Sequence, residues 1–440
     1  MPGVGSFRNK LARLPVAPGG PRPAEAPAES GAGRLDELRE RMNAILQRPV
    51  EPAPPRVRHA LPFATEETSA GPVHVKRTVY GFSHRVGVSE IAPSAESSSE
   101  LLALLSLDPS LGRCDPRQAL YFDTETTGLS GGTGTVAFLL GLGFWAPEGF
   151  VVEQYFLPEL GGEAPILVRY LERMQNASML VSFNGKSFDA PLLRTRLTMA
   201  RLGAPPALPH LDLLHVARRV HKEWMPGGGG DGPRSFRLGA LERDILGLER
   251  VGDVPSSEVS ACYLHFLRTG DEDVLRAVID HNAWDVVSMA ALLGLYGEPL
   301  HRTRIPERDL PGVAHTLRRA GSLDSAREIA DRAVACAGTP DAYWVRGEMA
   351  RARGDRDRAL ADFETLSRTV DSEKVRLSLA KLYEHHVKDY DAALRVSGQG
   401  TGEDASRLER RRTRLRRKAG EGTLMLPLTA PVADADPKRG

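Results

Sequence analysis

The sequence predicts an α/β domain, a mixed sheet flanked by helices, followed by an all-α region of helical hairpins. Three observations predict it. Three β-rich runs lie close together between residues 119 and 157, helix-like and strand-like segments then alternate, and a short pattern recurs every 33 to 34 residues in the last third.

Composition sets the frame. At 440 residues the chain has room for two or three domains. Its 58 Lys and Arg against 57 Asp and Glu give a net charge of +1, which neither demands nor excludes a nucleic-acid partner. Cys114, Cys262 and Cys336 lie far apart with no CxxC pair, which fits a reducing cytoplasm. The first twenty residues lack the apolar core of a signal peptide. The longest apolar stretch, 135 to 145, is too short to cross a bilayer as a helix. A cytoplasmic protein without a membrane partner is expected.

Ten of the 32 prolines fall in the first 55 residues, so residues 1–74 read as a mostly disordered arm. Within it Leu35, Leu38, Met42, Ile45 and Leu46 share one face of a short amphipathic helix. Residues 75–117 form a lead-in with possible short strands in "PVHVKRTVYGF" and a helix in "SELLALLSL". Then "ALYFDTETTGL", "GTVAFLLGLGFW" and "FVVEQYFL", parted by a glycine-rich turn and by "APEG", predict a three-stranded antiparallel meander. Helical "APILVRYLERMQ" leads to the strand "MLVSF", helical "APLLRTRLTMARLG" to a short strand in "HLDLL". Beyond the flexible loop "MPGGGGDGPR", at 225 to 234, three helix-like stretches end in "VLRAVIDHNAWDVVSMAALLGLYG". This domain spans 118–298.

In the last third "GSLDSAR" at 321, "GDRDRAL" at 354 and "KDYDAAL" at 388 carry the tetratricopeptide period, two antiparallel helices per unit. The helical repeats span 310–418 and suit a protein partner. They end in a segment, 407 to 418, with eight basic residues against one acidic, which fits a nucleic-acid contact or a solvated helix face. Residues 419–440 read as a disordered tail.

Four acids carry the chemistry. The strand period of two puts Asp123 and Glu125 side by side on one face. Asp189 opens the helix after "MLVSF", where it would also serve as a helix cap. Asp285 lies on an apolar helix one turn after His281, on the same face. Taken singly these are a wet strand end, a cap and a paired polar residue. A single hypothesis covers all of them: an oxygen-rich site for two divalent cations, Mg²⁺ or Mn²⁺, which would relieve carboxylate repulsion and support in-line attack on a phosphodiester. The half-motif Asn184-Gly185-Lys186-Ser187 looks like the end of a P-loop, but Leu180 stands where the first glycine is needed. No HExxH or Cys/His cluster calls for zinc.

From "FDTETTGLSGGTGTVAFLLGLG", "LVSFNGKSFDAPLLRTR", "PHLDLLHVARR", "FRLGALERDILG" and "HNAWDVVSMAALL", in this order and spacing, residues 118 to 295 resemble the DEDD exonucleases of the ribonuclease H-like superfamily. The resemblance is closest to the YprB-like ribonuclease H-like domain family. It implies a five-stranded mixed sheet and 3′ to 5′ hydrolysis of DNA or RNA from single-stranded ends. By it Asp123 and Glu125 form the first acidic motif, Asp189 the second and Asp285 the last, all as metal ligands and catalytic groups. His281 would position or deprotonate the attacking water, although the His-x-x-x-Asp spacing is that of the tyrosine branch with histidine substituted. Asn184 would contact substrate and Lys186 a phosphate; His210 and Asp212 read as structural hydrogen-bonding partners. The alternatives are a non-catalytic nucleic-acid-binding scaffold and a structure-selective endonuclease.

Overall fold

The structure, a computed structural model, describes residues 61–128, 134–223, 225 and 235–420. The expected helix at 35–46, most of the glycine-rich loop at 225–234 and residues 421–440 lie outside the described residues.

A seven-stranded mixed sheet organises the molecule. Its strands are β1 (Ala64–Thr68), β2 (Gly71–Tyr80), β5 (Ala119–Thr126), β6 (Ala137–Ala146), β7 (Gly149–Phe156), β8 (Met179–Ser182) and β9 (His210–Asp212). A separate two-residue ladder pairs β3 (Arg85–Val86) with β4 (Ser89–Glu90). The sheet order is β1-β2-β7-β6-β5-β8-β9. The meander β5-β6-β7 is antiparallel as expected, whereas β5-β8 and β8-β9 are parallel.

Two expectations are corrected. The sheet has seven strands rather than five, because β2 pairs with β7 from His74 to Tyr80 and β1 pairs with β2. Residues 61–74, expected in the arm, therefore contribute β1 and part of β2, and the boundary expected at 75 falls inside a strand. β2 alternates weakly and carries the charged residues Lys76 and Arg77, and it meets its partner β7 only through residues far along the chain, His74 against Phe156 and Tyr80 against Phe150.

Helices cover both faces. They are α1 (Ser99–Ser106), α2 (Ala164–Gln175), α3 (Asp189–Met199), α4 (Leu213–Val220), α5 (Leu238–Leu241), α6 (Val259–Thr269) and α7 (Arg276–Gly297). This coverage explains why the first half of β5, Ala119 to Phe122, is apolar without a break. Ala119 and Tyr121 enter the core shared with α4 and α7; Leu120 and Phe122 enter the core shared with α2 and α6. The 22-residue α7 lies across β6 at its two glycines. A Cβ on Gly141 would overlap the Asn282 side chain, and one on Gly143 would stand 2.7 Å from Phe150 Cζ and also crowd Val286. Close helix-to-sheet approach, rather than backbone freedom, requires these glycines.

The chain continues through helices α8 (Leu310–Arg319), α9 (Leu323–Cys336), α10 (Pro340–Arg353), α11 (Arg356–Thr369), α12 (Glu373–Leu382), α13 (Tyr390–Gly398) and α14 (Ala405–Ala419). The recurring motif starts α9, α11 and α13. Its first residue takes the left-handed conformation each time: Gly321 (φ 86°), Gly354 (φ 83°) and Lys388 (φ 63°). Lysine there bears a strain that glycine avoids. The core beneath β5 runs on into this region through Val313, Leu317, Ile329, Val345 and Met349. A Cβ on Gly312 would overlap the Val220 carbonyl oxygen, so α8 sits directly on α4.

The basic segment 407–418 lies on α14, where Arg411, Arg414 and Lys418 converge on the buried carboxylate of Glu384. Part of its charge is spent inside the fold. Among the described residues no helix is long and apolar enough to cross a membrane.

Candidate active site

The strand pleat aims Asp123 and Glu125 toward α7, while Thr124 points to the opposite face. Asn282 of α7, fully buried, donates from Nδ2 to Asp123 Oδ2 at 2.9 Å. Gln154 of β7 holds that amide in turn, donating to Asn282 Oδ1 at 3.0 Å and to the Ile279 carbonyl at 2.6 Å. Asp189, first residue of α3, accepts from the Thr124 hydroxyl. Asp285 accepts from Arg250.

These acids feel one another. Burial, followed by the charges of Asp285, Glu125 and Asp189, holds the Asp123 carboxyl well above the usual range against the opposing bond from Asn282. Burial pushes Glu125 up to about 8, with Asp285, Asp189 and Asp253 adding to it and His281 opposing. Asp189 is pushed up to about 6, mainly by burial, although Thr124 and nearby amides favour its charged form. Burial and mutual repulsion thus raise the proton affinity of three acids gathered around one strand end.

His281 completes the cluster. Asp253 lies 2.6 Å from its Nδ1, and a carboxylate accepts there, so Nε2 faces the acids, 4.0 Å from Glu125 and 3.9 Å from Asp285. Burial opposes charge on this ring, but Asp285, Glu125 and Asp253 together raise its proton affinity.

The loop after β8 resolves the P-loop question. Asp212, at the end of β9, accepts from the backbone N–H groups of Asn184 (2.8 Å), Lys186 (3.1 Å) and Leu214 (3.1 Å). Amides that would cradle a phosphate are thus committed to a carboxylate. Asn184 takes a left-handed conformation (φ 65°), which asparagine tolerates. A Cβ on Gly185 would stand 2.6 Å from Ser182 Cβ, so close approach requires that glycine. His210 bonds Ser182 Oγ at 2.7 Å, and burial, aided by Lys186, lowers it to about 4. The pair His210 and Asp212 is structural, as expected. Lys186 Nζ lies 4.0 Å from Asp108 Oδ2.

A groove of about 490 Å³ opens beside the acids, lined by Glu125, Asp189, Phe188, Thr195 and Ser260 among others. Phe188 is 57% exposed. The donors suit a hard divalent cation in kind, being carboxylate oxygens in mutual repulsion. As positioned, no group of three or more His, Cys, Asp or Glu among the described residues stands ready to hold a metal. In this arrangement Asp123 is turned to Asn282, Asp189 to Thr124 and Asp285 to Arg250.

Sequence reasoning missed Asn282, Thr124, Asp253, Glu242 and Arg250. An asparagine beside His281 on an apolar helix was a signal for Asn282. Arg250 and Asp253 lie in "LERVGDVPSSE", which has no period to read.

A sheet of this order with acids gathered at the end of its first meander strand defines a nuclease-type fold, and the family model of the RNase_H superfamily matches residues 120–296. Over 358 residues, 78% of this chain and 83% of the relative, the sequence is 30% identical to the uncharacterized protein YprB of Bacillus subtilis (strain 168). The chain belongs to the YprB family, with a domain of the RNase_H superfamily at its centre. Such a fold implies nucleic-acid binding.

Proposed function

We propose that this protein is a metal-dependent 3′ to 5′ exonuclease that hydrolyses phosphodiester bonds at single-stranded ends of DNA or RNA. The observation that carries the reading is the convergence of Asp123, Glu125, Asp189 and Asp285 from three separated segments, electrostatically coupled, beside a groove that Glu125 and Asp189 line. The direction rests on the DEDD resemblance. Two divalent cations, held by these four acids, would supply charge neutralisation and Lewis acidity for in-line attack by water.

The chain's own residues do the rest. Asn282, held by Gln154, fixes the Asp123 carboxylate. Asp253 fixes the ring of His281 so that Nε2 faces the reacting water. Neutralising Asp285 and Glu125 would remove the charges that raise the proton affinity of His281. The exposed ring of Phe188 offers a stacking face to an unpaired base. The helical hairpins supply a surface for a protein partner.

The test uses 5′-labelled single- and double-stranded DNA and RNA with Mg²⁺ or Mn²⁺, beside Asp123→Ala and Asp189→Ala controls. A ladder of shortening products that vanishes in both variants is expected. Near-wild-type cleavage in either variant overturns the assignment, and a single internal product favours an endonuclease. The hydrogen bonds that hold Asp123, Asp189 and Asp285 favour the rival scaffold reading, under which calorimetry with Mn²⁺ registers no binding.

A further inference from the structure

Arg250 is carried on the segment between a π-helical turn at Glu242–Leu246 and α6. Gly247 and Gly252 flank it in left-handed conformations (φ 68° and 75°), and its neighbour Val251 is 89% exposed. The arginine side chain itself is only 8% exposed, because it folds inward among the acids. There it donates to Asp285 Oδ1 and Glu242 Oε1 and lies 3.3 Å from Asp253 Oδ2. Its guanidinium carbon stands 5.6 Å from the centre of the Trp284 ring.

This cation is held imperfectly. Arg250 Nε and Glu242 Oε2 are both buried without a hydrogen-bond partner among the described residues, a cost that a purely structural tie would be expected to avoid. Its contact with Asp285 also engages one of the four acids that the cation site requires. A divalent cation and a guanidinium on the same carboxylate would repel each other at short range in a partly buried site.

We propose that Arg250 is a resident counter-cation that engages Asp285 until a divalent cation binds, and that the glycine-flanked segment 247–252 carries it away when Asp285 turns to the metal. The inference rests on the reading of Asp123, Glu125, Asp189 and Asp285 as a cation site. Arg250 then acts as a positioning residue: it stabilises the acid cluster while no divalent cation is present, and it sets the threshold for metal loading. Its two roles oppose each other, so its removal should weaken the fold and tighten metal binding together.

Calorimetric titration of Mn²⁺ into the full chain tests this, using wild type, Arg250→Gln, Arg250→Lys and Asp189→Ala, with thermal unfolding recorded with and without Mn²⁺. In Arg250→Gln, Mn²⁺ affinity is expected to rise by about tenfold or more. Its melting temperature without Mn²⁺ is expected to fall, and its gain on adding Mn²⁺ to exceed that of wild type. Equal or weaker Mn²⁺ binding by a folded Arg250→Gln overturns the proposal. Should that variant fail to fold, Arg250→Lys decides: lysine keeps the charge but not the two-carboxylate fork, so a gain of about threefold supports the proposal and an unchanged affinity overturns it. If neither wild type nor any Arg250 variant binds Mn²⁺, the cation-site reading itself falls. If wild type and the Arg250 variants bind alike, only the role of Arg250 falls.

Discussion

Replacing Asp212 with alanine should unlock the loop that delivers Asp189. The side chain is fully buried and accepts three backbone N–H groups, two from residues 184 and 186 and one from residue 214. A hydrogen bond to a charged acceptor contributes about 1.5–3 kcal/mol, and water reaching the loop would recover part of the loss. The expected destabilisation is therefore about 3–5 kcal/mol for Asp212→Ala. Asp212→Asn should cost less, roughly 1–2 kcal/mol, because one amide oxygen can still accept while the NH₂ faces a backbone donor. Denaturant unfolding followed by circular dichroism measures this as a shift in midpoint at unchanged slope. A change within about 1 kcal/mol for Asp212→Ala would show that the loop does not depend on this carboxylate, and the account of the half-motif would fail.

Three further outcomes are expected. Asp123→Asn should raise the melting temperature in the absence of divalent cations, since it removes an acid that burial and three neighbouring carboxylates disfavour, and calorimetry reads the shift. Gly312→Ala should destabilise the chain by about 3 kcal/mol or more, because the added Cβ meets the backbone carbonyl of Val220 rather than a side chain that can move; chemical denaturation measures it. At Glu384 burial opposes the charged form, but hydrogen bonds from Arg414 and Lys418 outweigh it and lower the carboxyl from 4.5 to about 2. A depressed folded-state value means that the stability is fully present above about pH 4.5 and is lost as pH falls through about 2, a span corresponding to roughly 3 kcal/mol. Thermal unfolding between pH 2 and 6 should show this loss in wild type and much less of it in Glu384→Gln.

The parts of the fold that local pattern encodes were legible. Residues 164–175 were read as one helix and form α2, and the three runs from 119 to 156 form the meander. The motifs recurring at 321, 354 and 388 likewise each open a helix, as the repeat period predicts. What escaped depends on contacts made at a distance. The register of β2 against β7 is set by pairing across the chain, and nothing local in "GPVHVKRTVY" announces it. The four acids could be named because their spacing is ordered, but the groups that engage them could not. Arg250 reaches Asp285 across 35 residues, and Gln154 reaches Asn282 across 128. Partners of that kind obey no period, so only the folded chain brings them into view.

One unbroken core joins Tyr121 beneath the acids to Met349 in the second hairpin, with α8 pressed against α4 at Gly312. The repeat region is consequently a bracket and not a tether. Severing the chain at residue 298 would strip one wall from the interior and leave Tyr296 and Val220 facing water, so a minimal catalytic fragment would need a new wall designed for it. A load carried by the hairpins would likewise reach the core beneath β5 through packed side chains, with no linker between to absorb it.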